Sequence, residues 1–263
     1  MPVIKPEHDP QAISELAHYR EFYEQDGIRA EHVPSEERVA LALQLVPAGI
    51  RSLLDAGCGD GTLLGLMNPR LFKVGLDISL NALHRTVGSA TLGGDCGHLP
   101  FRSQAFDLIL CTEVLEHLPA EDYRRTIAEF IRVARCAILV SMPFAEDLDR
   151  KQARCPGCGL IYHIHFHLRR FTVEDLAGLF PGYVLKRMLF SKTVEKNHPR
   201  WLTRIRRGLG KRWEWTPALL CPRCGLKDNR PPRRTPLSIA TTLLSELLAR
   251  RHPKWVACLY ERP

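Results

Sequence analysis

The sequence predicts an α/β fold: one mostly parallel, seven-stranded sheet with helices on both faces. Three observations carry this. Short apolar runs, "RSLLDAG", "FKVGLD", "ATLGGD", "FDLILCT" and "RCAILVS", end in Asp, Gly, Ser or Thr, as parallel strands buried on both faces do. Helical stretches alternate with them, which implies crossover connections and ligands at the carboxyl ends of the strands. A glycine-rich turn, "DAGCGDG", joins the first run to the helix that follows it.

In chain order, residues 1–50 read as two helices. "PQAISELAHYREFYEQDG" carries a helical stripe of Ile13, Leu16, Ala17 and Tyr23, and "SEERVALALQLV" starts at Ser35, an N-cap followed by two acids in the first turn. Residues 51–190 form the core. Its clearest helical stretch is "EVLEHLPAEDYRRTIAEFIRVA". After the fifth strand a cysteine knuckle at 154–160 interrupts the pattern, which resumes with the helix "TVEDLAGLF", N-capped by Thr172, and the strand "YVLKRMLF". Residues 191–253 read as an irregular basic insertion with a second knuckle, a proline-rich "NRPPRRTP" and one apolar helix, "LSIATTLLSELLARR". Residues 254–263 supply the last strand, "KWVACLYER".

A chain of 263 residues, 45% hydrophobic, can bury one sizeable core. Its N-terminus lacks a signal-type apolar segment, and no apolar run approaches the ~18 residues of a membrane span, so a soluble, cytoplasmic protein is expected. Charge is uneven within the net +8. From Lys186 onward there are nineteen Lys or Arg against five Asp or Glu, so the last third is strongly basic and the first 185 residues are net acidic. That asymmetry points to an anionic partner, or to a solvated basic face. Of nine cysteines, Cys58, Cys96, Cys111, Cys136 and Cys258 are single and lie in or beside apolar segments, while Cys155, Cys158, Cys221 and Cys224 form two C-P-x-C-G units.

The glycine turn spaces Gly57, Gly59 and Gly61 on alternate positions after Asp55. A dinucleotide-binding G-x-G-x-x-G would need glycine at 62, which is threonine. Together with "GLDIS", "GDCGHLPF" and "FDLILCTEVLEHL", in this order over about 65 residues, the turn resembles the class I S-adenosylmethionine-dependent methyltransferases, which have a Rossmann-like sheet. The resemblance implies cofactor contacts from Ala56, Gly57, Cys58, Gly59 and Gly61 in the loop. Asp77, followed by Ile78, would hold both ribose hydroxyls, and a carboxylate suits that because it accepts two hydrogen bonds. Asp95 and the Cys96 backbone would meet the adenine, and Thr112 and Glu113 would line the pocket. Asp55 would face the ammonium of the methionine end, or else cap the loop amides. The sulfonium is already a good leaving group, so alignment of the acceptor can supply roughly 7 to 11 kcal/mol of the barrier reduction. His117 and Glu113, four apart on one expected helix face, are the nearest candidates for a general base; His117 has pocket shaping as its other reading. "YHIHFHLRRFT" is similar to the stretch bordering the active site in members that modify small acceptors, matching at His167, Arg169, Phe171 and Thr172. His167 is therefore a further catalytic candidate. His163 and His165 read as the polar face of an exposed strand.

The two knuckles suit a four-thiolate structural zinc site: two residues between cysteines fit a tight turn, and Gly159 and Gly225 permit a left-handed residue after it. The 62 residues between Cys158 and Cys221 far exceed the ~15 to 20 of an ordinary ribbon. In the family's fold the sixth strand is parallel and the seventh antiparallel. Both knuckles then leave the same edge, and zinc would staple two insertions into a lid over the acceptor side. Implied are methyl transfer to a small or lipid-linked anionic acceptor such as a glycan intermediate, with RNA as a second acceptor class and an inactive zinc-stabilised adaptor as a third reading. Oligomeric state is left open.

Overall fold

The computed structural model describes residues 36–86, 88–209, 213–216, 219–227 and 235–263. The helix expected over 10–27 and the Ser35 cap lie outside them. The central sheet holds β1 (Ser52–Ala56), β2 (Phe72–Asp77), β3 (Ala90–Gly93), β4 (Phe106–Thr112), β5 (Ala134–Pro143), β8 (Val184–Phe190) and β11 (Trp255–Glu261), in the order β3-β2-β1-β4-β5-β11-β8. All neighbours are parallel except β11, which runs antiparallel to both β5 and β8. All seven strands expected from the sequence are present, as is the reversal of the last. Strands β1, β4 and β5 are buried along almost their whole length, which is why they read as unbroken apolar runs rather than alternating ones.

Helices cover both faces. One face packs α4 (Ala120–Val133) and α5 (Val173–Ala177) through Ile127, Phe130, Val133 and Leu176. The other packs α1 (Glu36–Leu45) and α2 (Thr62–Leu66) through Leu41, Leu45, Leu63 and Leu64. A short α3 (Leu80–Leu83) follows β2, its N-cap Ser79 accepting from the Ala82 amide. Thr172 caps α5 with a reciprocal box: its hydroxyl accepts from the Asp175 amide, and the Asp175 carboxylate accepts from the Thr172 amide.

The helix expected from residue 113 begins only at Ala120. Pro119 lacks an amide hydrogen and drives the residue before it away from helical dihedrals, and Glu113 sits in the left-handed region at φ 56°. Residues 113–119 are therefore a turn, and Glu113 and His117 do not share a helix face.

The insertions are more ordered than their composition suggests. After β5 a hairpin pairs β6 (Gln152–Arg154) with β7 (Ile161–His163). Within 191–253, β9 (Val194–Asn197) pairs antiparallel with β10 (Arg250–Pro253), enclosing α6 (Arg200–Gly208) and α7 (Pro236–Leu247). Helix α6 buries Leu202, Thr203 and Arg206, whereas Trp201 and the following Leu209 are exposed. Removing the α5 cap with Thr172→Ala is expected to cost about 1 kcal/mol, read as a lowered urea midpoint at unchanged slope.

Candidate active site

The glycine turn crosses the carboxyl ends of β1 and β2. Leu76 carbonyl accepts from the Gly57 and Cys58 amides at 2.7 and 3.1 Å, which clamps the turn to β2. Gly57 has φ +88°, and a Cβ there would lie 2.2 Å from Val114 Cγ2, so the turn after β4 presses directly on the loop. At Gly59 (φ +56°) no heavy atom lies within 4 Å of an added Cβ, so the backbone there faces open space, as a loop meant to approach a ligand must. Asp77 anchors the turn: its Oδ2 accepts from the Gly59 amide at 2.7 Å and its Oδ1 from the Ser79 amide at 2.8 Å. A carboxylate in this position can accept from ligand hydroxyls as well as from amides.

Asp55 is 1% exposed, and its Oδ1 has no hydrogen-bond partner among the described residues. Desolvation, reinforced by the Asp77 charge, pushes its pKa up to about 8. The loop-amide cap is thus supplied by Asp77, and Asp55 is a buried acid with no counter-charge among the described residues. Ala56 and Cys58 are buried, Gly61 is buried at the start of α2, and Ile78 is half-buried. Asp95 Oδ1 accepts from the Gly97 amide at 2.8 Å, with its Oδ2 3.3 Å from His98 Nδ1, and Cys96 is buried beside it. Thr112 ends β4, and Glu113 Oε2 pairs with the Arg38 guanidinium at 2.9 Å, tying α1 to the pocket.

His117 points into the protein rather than into an open mouth: it is 5% exposed, with its ring centroid 4.7 Å from that of His167. Around this pair lies a cluster that motif reading did not assemble. Glu116 and Glu146 are each 1% exposed. Glu146 Oε2 lies 2.5 Å from His167 Nδ1, and its Oε1 is 2.6 Å from Lys151 Nζ, which also meets Glu195 at 2.6 Å. Burial alone would raise Glu146, but the neighbouring His167, His163 and Lys151 hold its pKa well below the usual value. Glu116 has no such support: desolvation, with the Glu113 charge adding to it, pushes its pKa well up. His163 is buried, not on the exposed strand face the alternation suggested, and desolvation drives its pKa well down. The segment is held by Leu168, whose amide donates to Glu116 carbonyl at 2.7 Å, and by Arg169, which donates to Leu118 carbonyl and lies 3.8 Å over the Tyr123 ring. The available signals were the acid next to His117 and an acid just past the end of β5.

The knuckles come together as expected. Cys155 pairs with Cys224 and Cys158 with Cys221, each at 3.6 Å between sulfurs, and all four sulfurs lie within 4.8 Å of one another. The turns repeat each other: the Gly159 amide donates to Cys155 carbonyl as the Gly225 amide does to Cys221, and both glycines are left-handed. Cys155 and Cys221 are buried, Cys158 and Cys224 exposed. Desolvation opposes ionisation of Cys155, yet amides of Cys158 and Gly157 bring its pKa to about 7.

With this geometry in hand, known proteins give the frame. Residues 54–136 match the profile of a methyltransferase domain. A tRNA (carboxymethyluridine(34)-5-O)-methyltransferase from Arabidopsis thaliana is 38% identical over 117 residues, covering 43% of this chain and 28% of that protein. An uncharacterized protein from Methanocaldococcus jannaschii is 37% identical over 84 residues, covering 32% of this chain and 36% of that protein. The chain therefore spans about a third of the length of these relatives or less. The fold is shared with the 1,6-didemethyltoxoflavin-N1-methyltransferase of Burkholderia thailandensis (TM-score 0.56, 14% identity, 99% of this chain and 93% of that one), solved with S-adenosylhomocysteine bound. It is shared equally with a putative methyltransferase from Bacillus halodurans (TM-score 0.53, 14% identity, 86% and 98%). Residues 54–136 thus match a methyltransferase domain, and the seven-stranded sheet has the fold of these methyltransferase structures. No helix among the described residues is long and apolar enough to cross a membrane.

Asp55 has a measurable consequence. Its folded pKa of about 8 exceeds the ~3.9 of an unfolded aspartate, so its favourable contribution is full below about pH 4 and is lost as pH rises toward 8. Asp55→Asn is expected to remove that slope. In thermal unfolding without ligand, the variant should exceed the parent at pH 8.5 and match it near pH 4.

Proposed function

We propose that this protein transfers a methyl group from S-adenosylmethionine to a small or lipid-linked anionic acceptor. The observation that carries the first half is Asp77, positioned by the Gly59 and Ser79 amides at the end of β2, where a carboxylate suits two ribose hydroxyls. Asp55, buried without a counter-charge among the described residues, fits the ammonium of the methionine moiety, and the space that these residues leave at Gly59 fits a ligand lying against the loop. Ala56, Gly57, Cys58 and Gly61 complete that cradle, Ile78, Asp95 and Cys96 border the adenine end, and Thr112 and Glu113 face the reacting end. Bound there, the cofactor supplies an electrophilic methyl on sulfur, and the protein's task is to align the acceptor and exclude water.

Two features favour a lipid-linked acceptor. Helix α7 turns Ser238, Thr241 and Ser245 inward and leaves Leu237, Ile239, Leu243, Leu244 and Leu247 exposed, the reverse of a surface helix on a soluble core. Arg250 and Arg251 follow it directly in a strongly basic third of the chain, and apolar residues beside cations suit an anionic lipid surface. RNA is the second reading, supported by the tRNA-modifying relative and by exposed Trp201 among arginines. Against it, Arg207 is committed inside the protein, to Gln152 and Asp149 and over the Trp213 ring. Incubating the protein with methyl-labelled cofactor and fractionated extract decides between them: label in lipid or small molecules supports the first reading, label in RNA the second.

The cysteine cluster fits structural zinc. A tetrahedron with Zn–S of about 2.3 Å has edges of about 3.8 Å, close to the two 3.6 Å sulfur pairs. It would staple the β6–β7 hairpin to the second insertion, which also meet through Glu214, whose amide donates to Gln152 carbonyl at 2.9 Å and whose carboxylate pairs with Arg150 at 3.2 Å. Asn197 donates to Ala145 carbonyl at 2.8 Å, which seats that insertion beside the end of β5, where a lid over the acceptor would hinge.

Asp77→Ala is expected to weaken cofactor binding at least about 100-fold by calorimetry, the loss of two hydrogen bonds to a charged group. Chelation is expected to expose residues 147–163 and 195–227 to protease while leaving cofactor affinity within about threefold; collapse of the whole fold would refute the staple.

A further inference from the structure

The Glu and His cluster at the end of β4 is unusual for what it lacks. Glu116 is 1% exposed, and neither of its carboxylate oxygens has a hydrogen-bond partner among the described residues. A buried carboxylate left in that state costs several kcal/mol unless a proton or a cation answers it. One donor atom each from Glu116, His117 and His167 lies within 4.8 Å of the others, and all three residues are buried. Glu146 explains the orientation of the third. An ionised carboxylate only accepts, so its 2.5 Å contact with His167 places the proton on Nδ1 and leaves Nε2 for another partner. A histidine whose far nitrogen donates to a carboxylate is the usual outer support of a metal ligand.

We propose that Glu116, His117 and His167 bind a divalent transition cation, with Glu146 as the positioning residue for His167. The donors are nitrogen and oxygen, which suits manganese, iron, cobalt or zinc and separates this site from the all-thiolate cluster. Three protein ligands leave coordination positions for water or for an oxygen of an acceptor, as in catalytic rather than structural sites. Val114, which presses on Gly57, is two residues from Glu116, so the cation would stand on the turn that backs the cofactor loop. In that place it would hold an acceptor hydroxyl and lower its pKa, so that the proton passes to solvent water, the oxygen takes the methyl as the S–C bond breaks to leave a neutral thioether, and no separate side-chain base is required. This last role rests on the methyl-transfer reading; cation binding itself does not.

Manganese is the probe, because it favours nitrogen and oxygen donors and binds thiolate clusters weakly. The full chain, dialysed against chelator, is titrated with Mn²⁺ while the signal of free Mn²⁺ is followed by electron paramagnetic resonance. One equivalent is expected to bind. Glu116→Gln and His167→Ala should abolish binding, Glu146→Gln should weaken it about 10- to 100-fold, and Cys155→Ser should leave it unchanged. Should the first two variants fail to fold, Mn²⁺ must still raise the melting temperature of the parent in a concentration-dependent way. No binding by the parent, no thermal shift, or full binding by a folded Glu116→Gln would overturn the site. Asp77→Ala separates the two claims, since it should lose the cofactor and keep the manganese.

Discussion

Acidic side chains crowded at the carboxyl ends of parallel strands govern this molecule. Asp55 and Asp77 end β1 and β2, Glu113 and Glu116 follow β4, and Glu146 follows β5, all against the apolar faces of one sheet. Some are neutralised from within: Asp77 by two amides, Glu113 by Arg38, Glu146 by Lys151 and His167. Asp55 and Glu116 accept no such hydrogen bond or close ion pair among the described residues, and desolvation raises both pKa values. A fold that keeps two acids in such places gives up stability and gains two positions where positive charge is strongly preferred. The ammonium of a methionine moiety and a divalent cation are the two kinds of charge that match them.

The distant insertions answer a different requirement. Where they meet they share little apolar surface: the small cluster of Cys155, Leu160 and Cys221 is the only apolar nucleus they have in common among the described residues. Side chains of the other insertion supply what the core does not. Arg207 reaches Gln152, and Glu214 reaches Arg150, so the two segments order each other.

Much of this was legible in residue order. The seven strands announce themselves as apolar runs because burial on both faces removes the usual alternation, and Asp77, Thr172 and the paired cysteines occupy positions where only a few residue types work. What escaped was set by contacts distant in sequence. The apolar spacing of residues 113–134 is helical throughout, but Pro119 decides where the helix starts, and Glu113 and His117 go to a turn. His163 alternates like a solvent-facing residue, yet Glu146, seventeen residues earlier, draws it inside. Glu116 looks like an ordinary surface acid until β5 and the segment around His167 close over it. Helix α7 has the leucines of a core helix, and only the structure reveals that its serines and threonines face inward.

The 62-residue separation of the two knuckles bears on the order of assembly. An ordinary ribbon closes its four sulfurs within one short segment and can form early. Here β8 and α6 lie between the pairs, and β8 joins the sheet only through β11, the last strand of the chain. The longer loop adds only about 1 kcal/mol of closure entropy over an ordinary ribbon, but contacts so far apart in sequence form slowly. The sulfur cluster is therefore expected to close after β8 and β11 have paired, reporting on that edge of the sheet rather than seeding it.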